Sequence, residues 1–282
     1  MRYLQSFQPY MEDRHVYPWR VVYQMQLEHI EFAPITIFYG NNGCGKSTLL
    51  NIIAERIGIK NKTLGNSNEY FENYVKKCTY SGDDEMPEDS AFIRSEDIMA
   101  DITKRRERFT RMKEELLNGK MSRIIKDYGI STELYQKALT APDEVDPAEY
   151  AKLSRIYDFA SSRSALSSRS ADFMSNGEKA LEYFKNHLFE DTLYLLDEPE
   201  NSMAPAYQQE LAREISILAY RLNTQFIIAT HSPFMLSIEH ARIYDLDAKP
   251  ARIREWYQLE NMRTYYRLFK KYEDRFEENI NK

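Results

Sequence analysis

The eight residues Gly40-Asn41-Asn42-Gly43-Cys44-Gly45-Lys46-Ser47 fit the pattern G-x-x-x-x-G-K-[ST] at every fixed position. The β-branched run Ile35-Thr36-Ile37-Phe38-Tyr39 stands directly before them. Thr48-Leu49-Leu50-Asn51-Ile52-Ile53-Ala54 follows at helical spacing. Strand, glycine-rich turn and helix in this order make a phosphate loop. The glycines let the chain curl until successive N–H groups point inward, and the new helix adds the positive end of its dipole. The backbone Asn41, Asn42, Gly43, Cys44, Gly45, Lys46, Ser47 and Thr48 is the expected cradle of a nucleoside triphosphate. Lys46 is placed to reach the β- and γ-phosphates, and the Ser47 hydroxyl to ligate Mg²⁺.

A chain of 282 residues can bury one substantial core, or one core plus an inserted lobe. Its net charge of −6 does not advertise nucleic acid as a partner. Nowhere does an apolar run approach the roughly 18 residues of a membrane span, and the N-terminus lacks a signal-peptide pattern. The cysteines are Cys44 and Cys78. A disulfide at Cys44 would obstruct the phosphate loop, so a reduced, cytoplasmic setting is expected.

Thr192-Leu193-Tyr194-Leu195-Leu196 reads as a buried strand ending in Asp197-Glu198. In a phosphate-loop fold the strand with the second carboxylate is expected beside the phosphate-loop strand, so Asp197 would hold Mg²⁺ opposite Ser47. Glu198 can polarise a water for in-line attack on the γ-phosphate. Upstream, Ser175 is a good N-cap, with Glu178 completing a capping box ahead of the apolar positions Ala180, Leu181, Tyr183, Phe184 and Leu188. Taken alone, this is a well-capped helix. Ser175 precedes Asp197 by 22 residues, the length of one helix returning into the strand.

At that spacing the chain resembles soluble ABC-type ATPases, among them bacterial "AAA family" ATPases with an ABC-like core and relatives in recombination repair and phage defence. Their signature loop of Ser-x-Gly matches Ser175-Asn176-Gly177. The D-loop matches Pro199-Glu200-Asn201-Ser202-Met203, and the strand Gln225-Phe226-Ile227-Ile228-Ala229-Thr230 ends at His231, the position of the switch histidine. The resemblance covers roughly residues 20–60 and 165–260. It implies an α/β fold with a mostly parallel central sheet, antiparallel N-terminal strands and a helical insertion lobe. Residues 1–60 and 165–260 would form the core, 61–164 the lobe and 261–282 a C-terminal helix. It also implies ATP and Mg²⁺ as ligands, and a homodimer that closes head to tail on ATP. Glu198, His231 and Lys46 are then the catalytic set, Ser47 and Asp197 hold the metal, and Ser175 and Gly177 contact the neighbour's γ-phosphate. Such a dimer drives or licenses a protein partner encoded elsewhere. Two other readings stay open: a nucleotide-gated interaction protein with little turnover, and a transporter ATPase subunit.

Part of the family pattern has no clear counterpart. The Mg²⁺-sensing glutamine is absent, and Ser95 or Glu96, after the strand-like Ala91-Phe92-Ile93-Arg94, are the nearest candidates. Tyr17 and Trp19 lie where the family stacks adenine, but the aromatic-rich N-terminus makes core packing the default. No Asn-Lys-x-Asp run supports guanine.

Between the motifs, residues 81–89 form an acidic connector. Helical periodicity runs from Ile98 to about Tyr128, with further helical pieces at 132–139 and 148–159. The basic cluster Lys104-Arg105-Arg106-Glu107-Arg108 suits a nucleic-acid contact and a solvated helix face equally. A Ser/Arg-rich linker at 161–170 leads into Ser175. Beyond His231, residues 241–246 and 252–256 read as short edge strands, and Asn261 to Phe276 as a closing helix.

Overall fold

Ile35–Tyr39 (β3) is buried along its whole length, as are Leu193–Asp197 (β6) and Gln225–Ala229 (β7). Continuous burial, without polar alternation, marks strands of a parallel sheet covered on both faces. The computed structural model describes residues 3–59, 69–83, 86–104, 131, 133, 134, 137 and 175–280. The chain divides into two compact units, Met1–Ile98 with Asn176–Lys282, and Met99–Ser175.

The first unit is built around a six-stranded sheet of order β5-β6-β7-β3-β8-β9, where β5 is Ala91–Arg94, β8 Arg242–Asp245 and β9 Arg252–Ile253. β5 through β8 run parallel, and β9 closes the edge antiparallel to β8. A three-stranded antiparallel sheet, β2-β1-β4, joins Ile30–Glu31, Leu4–Gln8 and Thr79–Gly82. The buried Gln225 side chain ties the two sheets together. Its Oε1 accepts from Leu4 N at 2.9 Å, and its Nε2 donates to Leu4 O at 2.8 Å.

Helices Trp19–Met25 (α1), Lys46–Arg56 (α2) and Glu69–Lys77 (α3) share one apolar core. Phe92, Leu193, Leu195, Ile227 and Ala229 belong to the same cluster. The alternate strand residues Ile93, Tyr194, Leu196, Phe226 and Ile228 point to the opposite face and are equally buried. Helix α4 (95–104) continues from β5. Asn176–His187 (α5) packs on Pro205–Arg221 (α6), which also meets β7 and the short helix α7, Pro233–Leu236.

Four expectations change. The strand bearing Asp197 is not beside the phosphate-loop strand, because β7 lies between β6 and β3 and pairs with both. Thr79–Gly82 and Ala91–Arg94, expected in the insertion lobe, form β4 and β5 of the core unit. There Phe92 and Ile93 bury their side chains as β5 adds to β6. β8 is an inner strand, and β9 alone forms that edge. The closing helix is two, Glu260–Lys271 (α8) and Glu273–Ile280 (α9), interrupted at Tyr272 with φ of −116°. The helices expected at 105–128, 132–139 and 148–159, most of the basic cluster and the Ser/Arg linker lie largely or wholly outside the described residues.

Candidate functional site

In an open parallel sheet, ligands bind at the carboxyl ends of the strands, beside the point where strand order reverses. Here the chain passes from β7 across β3 to β8, and the motif residues gather around that crossing. The phosphate loop leaves β3 and enters α2 at Gly45, whose φ is +103°. A side chain there would strike Val21 and Met25 of α1, so only glycine meets both demands.

Lys46 is buried and turned back over its own loop. Its Nζ donates to Gly40 O at 2.9 Å and stands 2.6 Å from His231 Nε2. Ser47 Oγ donates to Asp197 Oδ1 at 3.1 Å. The pair meets across the intervening β7 because Ser47 stands in the first turn of α2, and α2 packs on both β6 and β7. Burial, with Glu198 adding, raises the Asp197 carboxyl, while the Ser47 hydrogen bond and the charges of Arg94 and Lys46 oppose the shift.

Glu198 leaves β6 with φ of +48°, a left-handed backbone that β-strand residues rarely adopt and that concentrates at working sites. The kink brings its Oε1 within 3.6 Å of His231 Nε2, and Oε2 accepts from Asn201 Nδ2 at 3.1 Å. His231 is drawn below its ordinary value, by burial first and then by Lys46, against the pull of Glu198 and Asp247. The Lys46, Ser47, Asp197, Glu198 and His231 of the sequence reading are thus brought together.

Asn41, Asn42 and Gly43 lie exposed along the loop, and Thr48 is half-buried behind Ser47. Cys44 and Cys78 are free thiols. A side chain at Gly40 would come within 2.5 Å of Cys44 Sγ, so the cysteine packs into the loop. Ser175 is exposed, whereas Gly177 is buried in its own chain: a Cβ there would lie 2.7 Å from Ser202 O. Trp19 is a core residue, edge-on to Tyr74 at 5.0 Å, and Tyr17 stacks on Phe71 at 6.1 Å.

Asp247 is not among the residues the sequence singles out, and Glu200 and Arg94 are named there only as parts of the D-loop and of a strand-like run. Glu200 is buried, and its Oε1 accepts from Thr230 Oγ1 at 2.5 Å, His231 N at 2.9 Å and Ser232 N at 3.1 Å. It fastens the D-loop to the histidine turn. Asp247, beyond β8, accepts from Asn41 N at 2.9 Å with both carboxylate oxygens. Arg94 pairs in register with Asp197 and donates to Asn51 Oδ1, while Ser95 Oγ accepts from Asn201 Nδ2 at 3.1 Å. An acid two residues past Asp197-Glu198, and another just past a strand, were the only signals available.

The donors suit Mg²⁺. Ser47 and Asp197 offer two hard oxygens, and no cluster of three or more His, Cys, Asp or Glu ligands occurs among the described residues. A partly filled oxygen site, completed by phosphate and water, is how proteins usually hold this ion. No helix among the described residues is long and apolar enough to cross a membrane.

Residues 79–237, from β4 through the Glu198 and His231 turns to the end of α7, match the family described as "AAA domain, putative AbiEii toxin, Type IV TA system". A solved structure titled "An inward-facing conformation of a putative metal-chelate type ABC transporter" aligns over 91% of this chain and 84% of that chain, with 15% sequence identity and a TM-score of 0.42. No curated protein matches. Matched over more than half its length, and carrying the phosphate loop ahead of the match, the chain belongs to this AAA-domain family of P-loop proteins, to which nucleotide binding and hydrolysis belong.

Proposed function

We propose that the chain is a Mg²⁺-dependent ATPase that closes as a homodimer on ATP and drives or licenses a protein partner. The observation that carries this reading is the meeting of Lys46, Ser47, Asp197, Glu198 and His231 at the carboxyl edge of β3, β6 and β7. The loop N–H groups and Lys46 bind the phosphates. Ser47 and Asp197 would hold Mg²⁺, which supplies charge neutralisation on the β- and γ-phosphate oxygens. Glu198 takes a proton from the attacking water as its oxygen bonds to the γ-phosphorus and the bridging oxygen departs with ADP. His231 orients that water. Ser175 and Gly177 of one subunit cap the γ-phosphate held by the other.

Phosphate release and sedimentation, measured with and without Mg-ATP, test the proposal together. The wild type should turn over and shift from monomer towards dimer. Glu198→Gln should keep the ATP-bound dimer while turnover falls at least about tenfold. A fully active, monomeric Glu198→Gln variant would refute both halves.

A second reading has ATP binding, and not its turnover, set assembly with a partner. The type IV toxin–antitoxin description of the matched family favours it. Dimers on ATP with negligible phosphate release from the wild type would select it.

A further inference from the structure

On the far side of β8 from the phosphate loop, β9, a 3₁₀ turn at Trp256–Gln258 and the start of α8 enclose an open hollow of about 670 Å³. Arg252, Ile253, Arg254, Tyr257, Gln258 and Arg263 line it. The local chemistry runs against the molecule's average. Three of these six residues are arginine and none is acidic, and the acids between Arg252 and Arg263 are Glu255 and Glu260, in a chain whose net charge is −6.

Both acids are already engaged. Glu255 and Gln258 form a reciprocal capping box around the 3₁₀ turn, and Glu260 pairs with Arg267 at 2.6 Å. Arg254 pairs with the buried Asp245 at 3.4 Å. Arg252 and Arg263 are exposed and have no carboxylate partner among the described residues. One aromatic ring, Tyr257, lines the hollow with these charges and is 59% exposed; Trp256, next to it in sequence, is 39% exposed.

We propose that this hollow binds single-stranded nucleic acid, with Arg252 and Arg263 on backbone phosphates and a base stacked on Tyr257. Guanidinium groups lacking a partner select an anion, and exposed rings select one that brings planar faces. A duplex hides its bases within the stack, so the rings favour an unpaired strand. The overall negative charge removes long-range steering, which makes binding modest, and two phosphate contacts give log affinity a slope of roughly −1.4 on log salt. This surface is separate from the ATP site, so the proposal stands or falls independently of the ATPase reading.

Fluorescence anisotropy with labelled single strands of about 20 nucleotides at about 50 mM salt, beside the same sequence as a duplex, tests it. The wild type should bind the single strand more tightly than the duplex. The double variant Arg252→Ala/Arg263→Ala should bind at least about tenfold more weakly, and its slope of log affinity on log salt should flatten by roughly 0.7 per lost phosphate contact. Tyr257→Ala should weaken binding about tenfold, whereas Tyr257→Phe, which keeps the ring, should not. Melting temperature and basal ATPase should stay at wild-type values in all three. The proposal is overturned if the wild type does not bind, if binding ignores these substitutions, or if the duplex is preferred. It is equally overturned if polyglutamate, standing for an acidic protein segment, displaces the strand at matched charge.

Discussion

His231 Nε2 lies 2.6 Å from Lys46 Nζ. An ammonium has only donors to offer, so Nε2 accepts and the imidazole is neutral, its proton on Nδ1 by this hydrogen-bond pattern. Burial and the lysine charge hold the ring below its ordinary value. The unfolded chain therefore takes up a proton that the folded chain refuses, and stability falls as pH drops from about 6.5 towards the lowered value. Lys46→Met should raise the His231 titration in an NMR imidazole experiment and shrink that loss. An unchanged titration would disprove the electrostatic link. His231→Ala should lower phosphate release about a hundredfold.

Glu200 tests the join between D-loop and histidine turn. Its Oε2 is buried without a partner among the described residues, and burial raises the carboxyl despite three donors on Oε1. The folded state thus holds its proton more tightly than the unfolded state, and this stabilisation is lost as pH rises through the raised value. Glu200→Gln keeps an acceptor oxygen and removes the charge. Its melting temperature relative to wild type should improve more at pH about 8 than at about 5. Glu200→Ala orphans the Thr230, His231 and Ser232 donors and should cost about 3 kcal/mol. A Gln variant with no pH-dependent difference would remove the charge argument.

The phosphate loop, the Asp197 strand and the histidine strand were legible because each is a local string whose chemistry depends on a few adjacent residues. Burial along β3, β6 and β7 was legible for the same reason. The order of strands was not, since β7 enters between β3 and β6 only through long-range pairing. Nor was the membership of Ala91–Arg94: four residues with two inward side chains are too short to declare their sheet. The roles of Asp247 and of Glu200, the latter legible only as a D-loop residue, were hidden on physical grounds. Each acts through backbone N–H groups distant in sequence, and a backbone partner leaves no mark on composition. The close fit of Gly177 was not legible either: Ser202 and Met203 of the same chain stand against the place its Cβ would take, and no local string announces that contact.

Gly177 gives the third prediction. A Cβ at this position would lie 2.7 Å from Ser202 O and 3.1 Å from Met203 Cα, and backbone atoms cannot step aside as a flexible side chain does. Gly177→Ala should separate α5 from the D-loop and destabilise the chain by about 1–3 kcal/mol, read by denaturant unfolding. Ser175→Ala, at the exposed N-cap of α5, should cost only about 1 kcal/mol of stability and act chiefly on ATP-dependent dimerisation. If both variants lose stability equally, the assignment of Ser175 to intersubunit contact loses its support.

Asp247 poses a conflict that two substitutions resolve. Its carboxylate anchors the phosphate loop through Asn41 N at 2.9 Å, yet it also sets a negative charge where ATP brings more. Asp247→Asn retains an acceptor oxygen while removing that charge. ATP should therefore bind a few-fold more tightly, as expected for a screened like-charge contact near the surface. Asp247→Ala removes the anchor too. The lost charge-assisted hydrogen bond, about 1.5–3 kcal/mol, outweighs the relieved repulsion, and ATP should bind about tenfold more weakly. Calorimetric titration of both variants separates the effects. Weakening by Asn as large as that by Ala would mean that the charge itself holds the loop in shape, and that its repulsion of phosphate is the smaller force.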